Sequence, residues 1–438
     1  MAQIRVLIIT YYWPPSGGSG VQRWVYFSKY LKRLGITPVI LTVDPAYATY
    51  PALDDSLEKE VDGIEVIRTK SFEPLQLYSK MTTGNKQTGV PYGAVDTKGK
   101  SLFQKMSAFV RGNIVLPDAR KYWKRYAYPT ALDRINKGTI DLIISTGPPH
   151  STHLIAQALK KRTGLPWIAD FRDPWTEVFY NKDLYRTNWA IRKDEKMEKE
   201  VIQAADAILC VSAYTAELVQ AKTTDPKKVS TIINGYDHEL FQRNPANTYA
   251  DFTIAYVGYL GRHHAYQLFV EGISAFTQRL TDGKTLSLRL AGRIDTVILE
   301  QLQAIPNCNV VYEGVVDHEA AIAMIKGADL LLISIPVSSY SKGIITGKLM
   351  EYIATGNPIA LVGEQDSDAA KILNEFAGNI VLAEEEVERF AEFCVQCYST
   401  RTGKKEIRTE HASYTREATA RQLKELIHII SDKTTGGK

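Results

Sequence analysis

A short segment in the last quarter of the chain combines groups suited to binding a diphosphate and a ribose. Thr346 and Gly347 are placed to begin a helix that Gly356 ends, and the free N–H groups and positive dipole end of this helix would face an anion. Lys348 adds a positive charge in the first turn. Glu351 follows on the same helix face, where its carboxylate can accept two hydrogen bonds from a ribose diol. The alternative is an ordinary Lys–Glu pair on a solvated helix.

Glycine and arginine recur after two predicted strands in the same half of the chain. Gly258 and Arg262 follow the apolar run 253–257, and Arg293 follows the run 286–290. Glycine lets a ligand approach the backbone closely, and a guanidinium group suits phosphate oxygens. We therefore predict that Gly258, Arg262 and Arg293 contact the anionic part of the same ligand.

A glycine-rich loop follows the first predicted strand. Gly17, Gly18 and Gly20 immediately precede a helical pattern, so Gly17 and Gly18 are candidate contacts to a phosphate or a sugar. A dinucleotide-binding fold would place G-x-G-x-x-G directly after the strand, whereas residues 11–16 intervene here. Asp44 does end the second strand, where a ribose-binding acid would lie. The spacing disfavours an NAD-dependent dehydrogenase, and a purely structural turn stays an alternative.

Three charged residues stand at the end of a later apolar strand. The run 167–170 ends in Asp170 and is followed by Arg172 and Asp173. A core role is hard to explain, because buried charges must be paired. We predict Arg172 and Asp173 as catalytic residues that orient a hydroxyl or stabilise charge in an oxocarbenium-like transition state. An internal ion pair between Arg172 and an aspartate is the alternative.

The loop 146–153 carries two histidines beside two prolines. Ser151 or Thr152 is expected to cap the helix that follows. His150 and His153 could face a ligand, and we place His150 among the catalytic candidates. A structural role in the core is the alternative for either histidine.

Parallel sheets must position these loops. Continuous apolar strands alternate with amphipathic helices, the pattern of an α/β fold with helices on both faces of each sheet. We predict two doubly wound, Rossmann-like domains, with ligands beyond the carboxyl ends of the strands. The strands are expected at 5–10, 38–43, 63–68, 141–145 and 167–170, and then at 253–257, 286–290, 310–312, 330–333 and 359–362.

The composition is that of a soluble globular protein. The 438 residues carry a net charge of +4, and no apolar run is long enough to span a bilayer or to form a signal peptide. We therefore expect a cytoplasmic protein, and no nucleic-acid partner, because no basic and aromatic recognition module is present. Cys394 and Cys397 lack further ligands for a metal site, so we expect two thiols on one helix.

The stretch 102–128 mixes aromatic and aliphatic side chains with basic ones. It predicts either a patch that faces a membrane surface or an acceptor molecule, or an ordinary amphipathic helix on the core. Contact with the inner face of the plasma membrane would be peripheral. The residues concerned are Phe103, Lys105, Met106, Phe109, Val110, Arg111, Arg120, Lys121, Lys124 and Arg125.

Several segments together resemble family-four glycosyltransferases, which are retaining enzymes of the GT-B fold. The resemblance lies in the glycine loop 17–20, the segments 205–212 (ADAILCVS) and 233–237 (INGYD), and above all 347–360 (GKLMEYIATGNPIA). The PPHSTH and ADFRDPW segments look like a bacterial polysaccharide-synthesis branch of this family.

The resemblance implies two Rossmann-like domains facing a cleft and a hexosyltransferase reaction. An N-terminal domain (1–241) would bind a glycan or lipid-linked acceptor, and a C-terminal domain (242–411) would bind the nucleotide-sugar donor. The last helix (412–432) would pack back on the first domain. It also implies that neither a cofactor nor a metal ion is required.

The sequence departs from the family pattern at three places. Gly343 stands where the family carries a glutamate that contacts the donor sugar, and Arg172 stands where a histidine is common. His263 and His264 replace an expected lysine, for which Lys348 would compensate. A GT-B-fold sugar-nucleotide epimerase and a non-catalytic nucleotide-sugar-binding subunit therefore stay as alternatives.

Overall fold

The computed structural model describes residues 3–50, 52–73, 102–178, 184–280, 284–336, 338, 340–401 and 409–435. The chain divides into two compact units, unit 1 (Met1–Ile233 and Thr419–Lys438) and unit 2 (Asn234–Ala418). The boundaries between the two units therefore lie after residues 233 and 418. The boundaries expected from the sequence lie after residues 241 and 411. No helix among the described residues is both long enough and apolar enough to cross a membrane.

Unit 1 contains a seven-stranded parallel sheet in the order β3-β2-β1-β4-β5-β6-β7. Its strands are β1 (Arg5–Ile9), β2 (Thr37–Val43), β3 (Glu65–Thr69), β4 (Leu142–Gly147), β5 (Trp167–Phe171), β6 (Ala207–Cys210) and β7 (Val229–Thr231). The helices are α1 (Ser19–Arg33), α2 (Leu102–Asn113), α3 (Lys124–Asn136), α4 (Ser151–Thr163), α5 (Asn188–Ala204) and α6 (Ala213–Gln220).

Unit 2 contains a six-stranded parallel sheet in the order β10-β9-β8-β11-β12-β13. Its strands are β8 (Thr253–Val257), β9 (Leu286–Ala291), β10 (Cys308–Tyr312), β11 (Leu330–Ser334), β12 (Ile359–Val362) and β13 (Ile380–Leu382). The helices are α7 (His238–Arg243), α8 (Tyr266–Thr277), α9 (Thr296–Gln303), α10 (His318–Gly327), α11 (Gly347–Thr355), α12 (Asp368–Leu373) and α13 (Val387–Ser399).

Apolar residues on both faces of the first strand explain why it lies in the middle of its sheet. Leu7 and Ile9 of β1 belong to one buried cluster, whereas Val6 and Ile8 belong to the cluster on the opposite face. A strand with two buried faces needs helices on both sides of the sheet. The predicted α/β fold with two doubly wound parallel sheets is confirmed.

The C-terminal helix α14 (Arg416–Thr435) packs on unit 1. Ala420, Leu423, Ile427 and Ile430 recur at helical spacing and join the buried cluster that contains Val6. One apolar stripe therefore anchors the end of the chain against the first sheet.

Three strands were not predicted from the sequence, because they are very short. β6, β7 and β13 contain only three or four residues each. In particular, residues 229–231 form the edge strand β7 beside β6. A run of this length has too little periodicity to distinguish a strand from a loop.

The strand orders identify where each sheet would bind a ligand. In doubly wound sheets, ligands bind beyond the carboxyl ends of the strands, where the direction of winding reverses. That point lies between β1 and β4 in unit 1 and between β8 and β11 in unit 2. The loops and helix starts that follow these four strands include most of the predicted site residues.

Candidate functional site

Helix α11 of unit 2 begins and ends as the sequence predicts. The Thr346 side chain accepts a hydrogen bond from the Leu349 amide at 3.3 Å and caps the helix that starts at Gly347. Gly356 ends the helix with φ of 70°, a left-handed conformation that suits glycine. The amide of Gly347 is consequently one of the N–H groups that no helix carbonyl accepts.

Lys348 turns back toward the loop after β8. Its ammonium lies 4.5 Å from the centroid of the Tyr256 ring and donates to the Tyr256 hydroxyl at 3.2 Å. Gly258 provides the space, because a Cβ there would lie 2.8 Å from Lys348 Nζ, and its φ of 125° also favours glycine. Burial lowers the pKa of Lys348 to about 8, although the charge of Glu351 acts in the opposite direction.

Glu351 is hydrogen-bonded to a residue that the sequence did not single out. Its Oε1 lies 2.8 Å from Nε2 of His318, the first residue of α10. The alternative of a Lys348–Glu351 pair is therefore wrong, since each side chain has a different partner. The only hint in the sequence was the position of His318 after β10, at the carboxyl end of the sheet.

Three glycine turns lie side by side at the carboxyl ends of β8, β9 and β10. The Gly258 amide donates to Ala291 O at 2.8 Å, and the Gly292 amide donates to Gly314 O at 2.6 Å. Gly292 has φ of 109°, and a Cβ at this residue would collide with the Gly258 carbonyl. Gly258 is a predicted site residue, whereas Gly314, whose φ is 68°, was not predicted.

The two predicted arginines of unit 2 lie on the surface. Arg262 Nε donates to Asp295 Oδ2 at 3.1 Å, and the arginine side chain is 67% exposed. Such an exposed ion pair contributes little stability, so the guanidinium can exchange its partner for another anion at small cost. Arg293 directly follows Gly292 in the loop after β9, and its side chain is exposed.

In unit 1 the glycine loop and Arg172 lie against each other. The Gly17 amide donates to Ala52 O at 2.9 Å, and Gly18 precedes α1 with φ of 103°. A Cβ at Gly20 would collide with the Arg172 guanidinium. The glycine loop therefore leaves room for a cation at the end of the sheet.

Arg172 bridges the ends of β5 and β4. Its Nε donates to Gly147 O at 3.2 Å, and its Nη2 donates to Pro148 O. Among the described residues it forms no ion pair with an aspartate, so that alternative is wrong. Burial raises the pKa of the Asp173 carboxyl, and the charge of Arg172 partly offsets this.

Asp170, the first of the three charged residues at the end of β5, is buried and holds neighbouring elements together. It forms a fully buried ion pair with Arg23 at 3.0 Å, and it accepts hydrogen bonds from Trp24 Nε1 at 2.7 Å and Thr146 Oγ1 at 2.8 Å. These partners come from α1 and β4, so Asp170 joins three elements around the glycine loop. The charge that looked out of place in the sequence is fully paired.

His150 and His153 are buried and stacked on aromatic rings. His150 stacks on Trp175 with centroids 4.9 Å apart, and His153 stacks on Phe171 at 4.8 Å. Nδ1 of His153 also lies 2.8 Å from Ser145 Oγ. Burial lowers the pKa of both imidazoles, that of His153 to about 3, so both are neutral at pH 7.

The cap of helix α4 differs from the prediction. The Asp118 carboxylate accepts hydrogen bonds from the Ser151 amide and hydroxyl, both at 2.8 Å. The Thr152 hydroxyl donates to Thr146 O at 2.7 Å and does not cap the helix. A carboxylate from a distant part of the chain thus replaces the local cap that the sequence suggested.

The match to a protein family falls on the segment that includes His150, Arg172 and Asp173. Residues 96–240 match the family model described as Glycosyltransferase Family 4. In this segment the chain is similar to glycosyltransferase family 4. No curated protein sequence matches the chain significantly.

Solved structures with a similar fold cover nearly the whole chain. Anabaena HepE, determined in complex with UDP and glucose, is 10% identical, with 97% of this chain and 99% of that chain covered at a TM-score of 0.59. Sucrose-phosphate synthase from Thermosynechococcus elongatus is 14% identical, with 97% and 98% covered at a TM-score of 0.59. A putative UDP-N-acetylglucosamine 2-epimerase from Listeria monocytogenes is 9% identical, with 97% and 96% covered at a TM-score of 0.52. At such low identities these similarities establish the two-domain α/β fold of GT-B type.

Proposed function

We propose that this protein is a family 4 glycosyltransferase that transfers a hexose from a nucleotide-sugar donor to an acceptor hydroxyl with retention of configuration. The observation that carries the proposal is the arrangement around α11. Its capped N-terminus, the Lys348 ammonium and the Glu351 carboxylate follow the strand end where the winding of the unit 2 sheet reverses. The complex of HepE with UDP and glucose supports a donor of this class.

Each group around α11 has one task in this proposal. Glu351 accepts hydrogen bonds from the ribose diol, and the Gly347 amide with Thr346 at the helix start receives the diphosphate. Lys348 stabilises the negative charge that develops on the leaving diphosphate. Arg262, Arg293 and the turn at Gly258 complete this anion-binding region in the proposal.

The acceptor side of the reaction is assigned to unit 1. Arg172, Asp173 and His150 follow β4 and β5, and Gly17 and Gly18 follow β1, so all five lie in loops at the carboxyl ends of strands. In the proposal Arg172 and Asp173 contact the acceptor hydroxyl or the reacting carbon, whereas the buried His150 supports them through its stack on Trp175. No nucleophile is assigned.

The proposed acceptor is a glycan or a lipid-linked sugar used in bacterial cell-surface polysaccharide synthesis. This part rests on the PPHSTH and ADFRDPW segments, which lie at the ends of β4 and β5. The reaction is proposed to need no metal ion.

A panel of nucleotide sugars tests the proposal in two stages. Stabilisation of the protein against heat identifies the donor, because a bound ligand raises the apparent stability. Incubation with that donor and sugar or lipid-linked acceptors should then give a product with the donor's anomeric configuration, as read by NMR.

The similarity in fold to an epimerase sets the control. Incubation of the protein with the donor alone should leave the sugar nucleotide unchanged. Net conversion to an isomeric sugar nucleotide would favour an epimerase, and donor binding without any product would favour a non-catalytic subunit.

A further inference from the structure

Helix α2 of unit 1 turns an apolar face outward. Met106 and Ile114 are 57% and 62% exposed, and Phe109 and Val110 between them are exposed as well. Positions 106, 109, 110 and 114 follow the spacing of one helix face, and position 114 comes directly after the last residue of α2. These four side chains therefore lie on the same side. The described part of α2 therefore does not bury its apolar side chains as an ordinary amphipathic helix on the core would.

A second exposed apolar group lies beside α2 on a distant part of the chain. The Asn113 side chain donates to Tyr185 O at 3.0 Å and accepts from the Thr187 amide at 2.7 Å, which ties the end of α2 to the start of α5. Tyr185 is 49% exposed and Trp189 is 60% exposed. Together the two groups form one exposed apolar surface, which consists of Met106, Phe109, Val110, Ile114, Tyr185 and Trp189.

Lysines border this apolar surface. Lys193 Nζ lies 4.6 Å from the Trp189 ring centroid, and Lys121 Nζ donates to Ile114 O at 2.8 Å. Burial is the main cause that lowers the pKa of Lys121, and the charge of the nearby Lys193 lowers this pKa further. The surface therefore has an apolar centre and a positive edge.

Two carboxylates of this region, Asp118 and Asp194, are held by other partners. Asp118 accepts hydrogen bonds from the amide and the hydroxyl of Ser151. Its charge raises the pKa of Lys121 and so partly offsets the effect of Lys193 on that pKa. Asp194 is buried and pairs with Arg186. Arg120, which the sequence analysis counted with the basic residues of this stretch, pairs with Glu73 at 2.9 Å and takes no part.

We propose that this surface docks unit 1 on an anionic membrane. Tryptophan and tyrosine favour the interface between headgroups and acyl chains, and lysines beside them would contact lipid phosphates. A second copy of the chain fits less well, because a two-fold contact would bring the lysine edges of two identical surfaces together. This binding does not depend on the proposed glycosyl transfer.

Tryptophan fluorescence is a direct test, because Trp189 is the one exposed tryptophan of six. The other five, Trp13, Trp24, Trp123, Trp167 and Trp175, are at most 3% exposed. The full-length protein should sediment with phosphatidylcholine vesicles that contain phosphatidylglycerol, and its emission should shift to shorter wavelength. Vesicles of phosphatidylcholine alone or added salt should weaken the binding.

Three variants locate the contact. Trp189→Ser should abolish the emission shift, and Phe109→Ser should weaken sedimentation with the vesicles. Lys193→Gln should weaken binding about fivefold, the expected contribution of one basic residue near an anionic surface. Ile429→Ser is the matched control, because Ile429 is 53% exposed on α14 of the same unit.

Each remaining outcome would overturn the proposal. Failure of the wild-type protein to bind anionic vesicles would do so, and so would equal binding by the Trp189 and Ile429 variants. Self-association without vesicles that Trp189→Ser abolishes would assign the surface to a second copy instead. Circular dichroism of each variant confirms that a loss of binding is not a loss of fold.

Discussion

His318 Nε2 lies 2.8 Å from Glu351 Oε1, although 33 positions separate the two residues in the chain. The contact joins the first turn of α10 to the middle of α11. The hydrogen bond holds one oxygen of the Glu351 carboxylate and so fixes the direction of this group. In the proposed function, the ribose diol would bind a carboxylate whose direction is already set.

Loss of the Glu351 carboxylate should mainly affect donor binding. We expect Glu351→Ala to weaken donor affinity roughly tenfold to a hundredfold, because hydrogen bonds to a charged group contribute about 1.5–3 kcal/mol. Isothermal titration with the donor measures this change. Glu392→Ala, at an exposed position of α13, is the control and should bind as wild type does. Equal affinity of the two variants would remove Glu351 from the donor site.

His318 should act through Glu351 rather than on the donor itself. We expect His318→Ala to raise the KM for the donor by about threefold to tenfold with little change in kcat, the effect of one lost orienting hydrogen bond. His318→Gln can still donate to Glu351 and should restore most of the affinity. In the Glu351→Ala background, removal of His318 should have no further effect. Independent, additive losses would contradict the positioning role.

The charge of Lys348 should make donor binding depend on pH. With a pKa of about 8, Lys348 is protonated below this pH and loses its charge above it. Donor affinity should therefore fall as the pH rises through this value, and the bound diphosphate should shift the transition upward. Lys348→Arg should retain its affinity above pH 8, because arginine stays protonated. A pH profile that is the same for both proteins would show that Lys348 does not contact the diphosphate.

Asp170 should matter for stability, because its carboxylate forms a buried ion pair with Arg23. Removal of one partner from a buried ion pair costs about 3–5 kcal/mol, so Asp170→Ala should strongly lower the unfolding temperature. Asp133→Ala breaks only the exposed pair with Lys137 and should cost about 0.5 kcal/mol or less. Thermal unfolding followed by circular dichroism compares the two. An equally small effect of both changes would mean that other contacts hold the glycine loop.

Removal of metal ions should leave the transferase activity intact. We expect dialysis against EDTA to change neither kcat nor KM, since the proposed site binds the diphosphate through N–H groups and cations of the protein. Activity that is lost on dialysis and restored by Mg²⁺ or Mn²⁺ would contradict this expectation.

The sequence by itself determined the local elements of the chain. Continuous apolar runs predicted the long strands, and Thr346 and Gly356 correctly marked the start and the end of α11. Cys394 and Cys397 are two free, buried thiols on one helix, as predicted. Signals of this kind work because periodicity, caps and glycine turns act between residues a few positions apart.

Only the tertiary structure decided which side chains meet. The pairs Asp170–Arg23, Asp118–Ser151 and His318–Glu351 join residues that are far apart in the chain. The outward apolar face of α2 likewise depends on what the helix packs against. Strand order and helix packing set these contacts, and each sheet brings distant loops to a shared edge, which no local pattern of residues encodes.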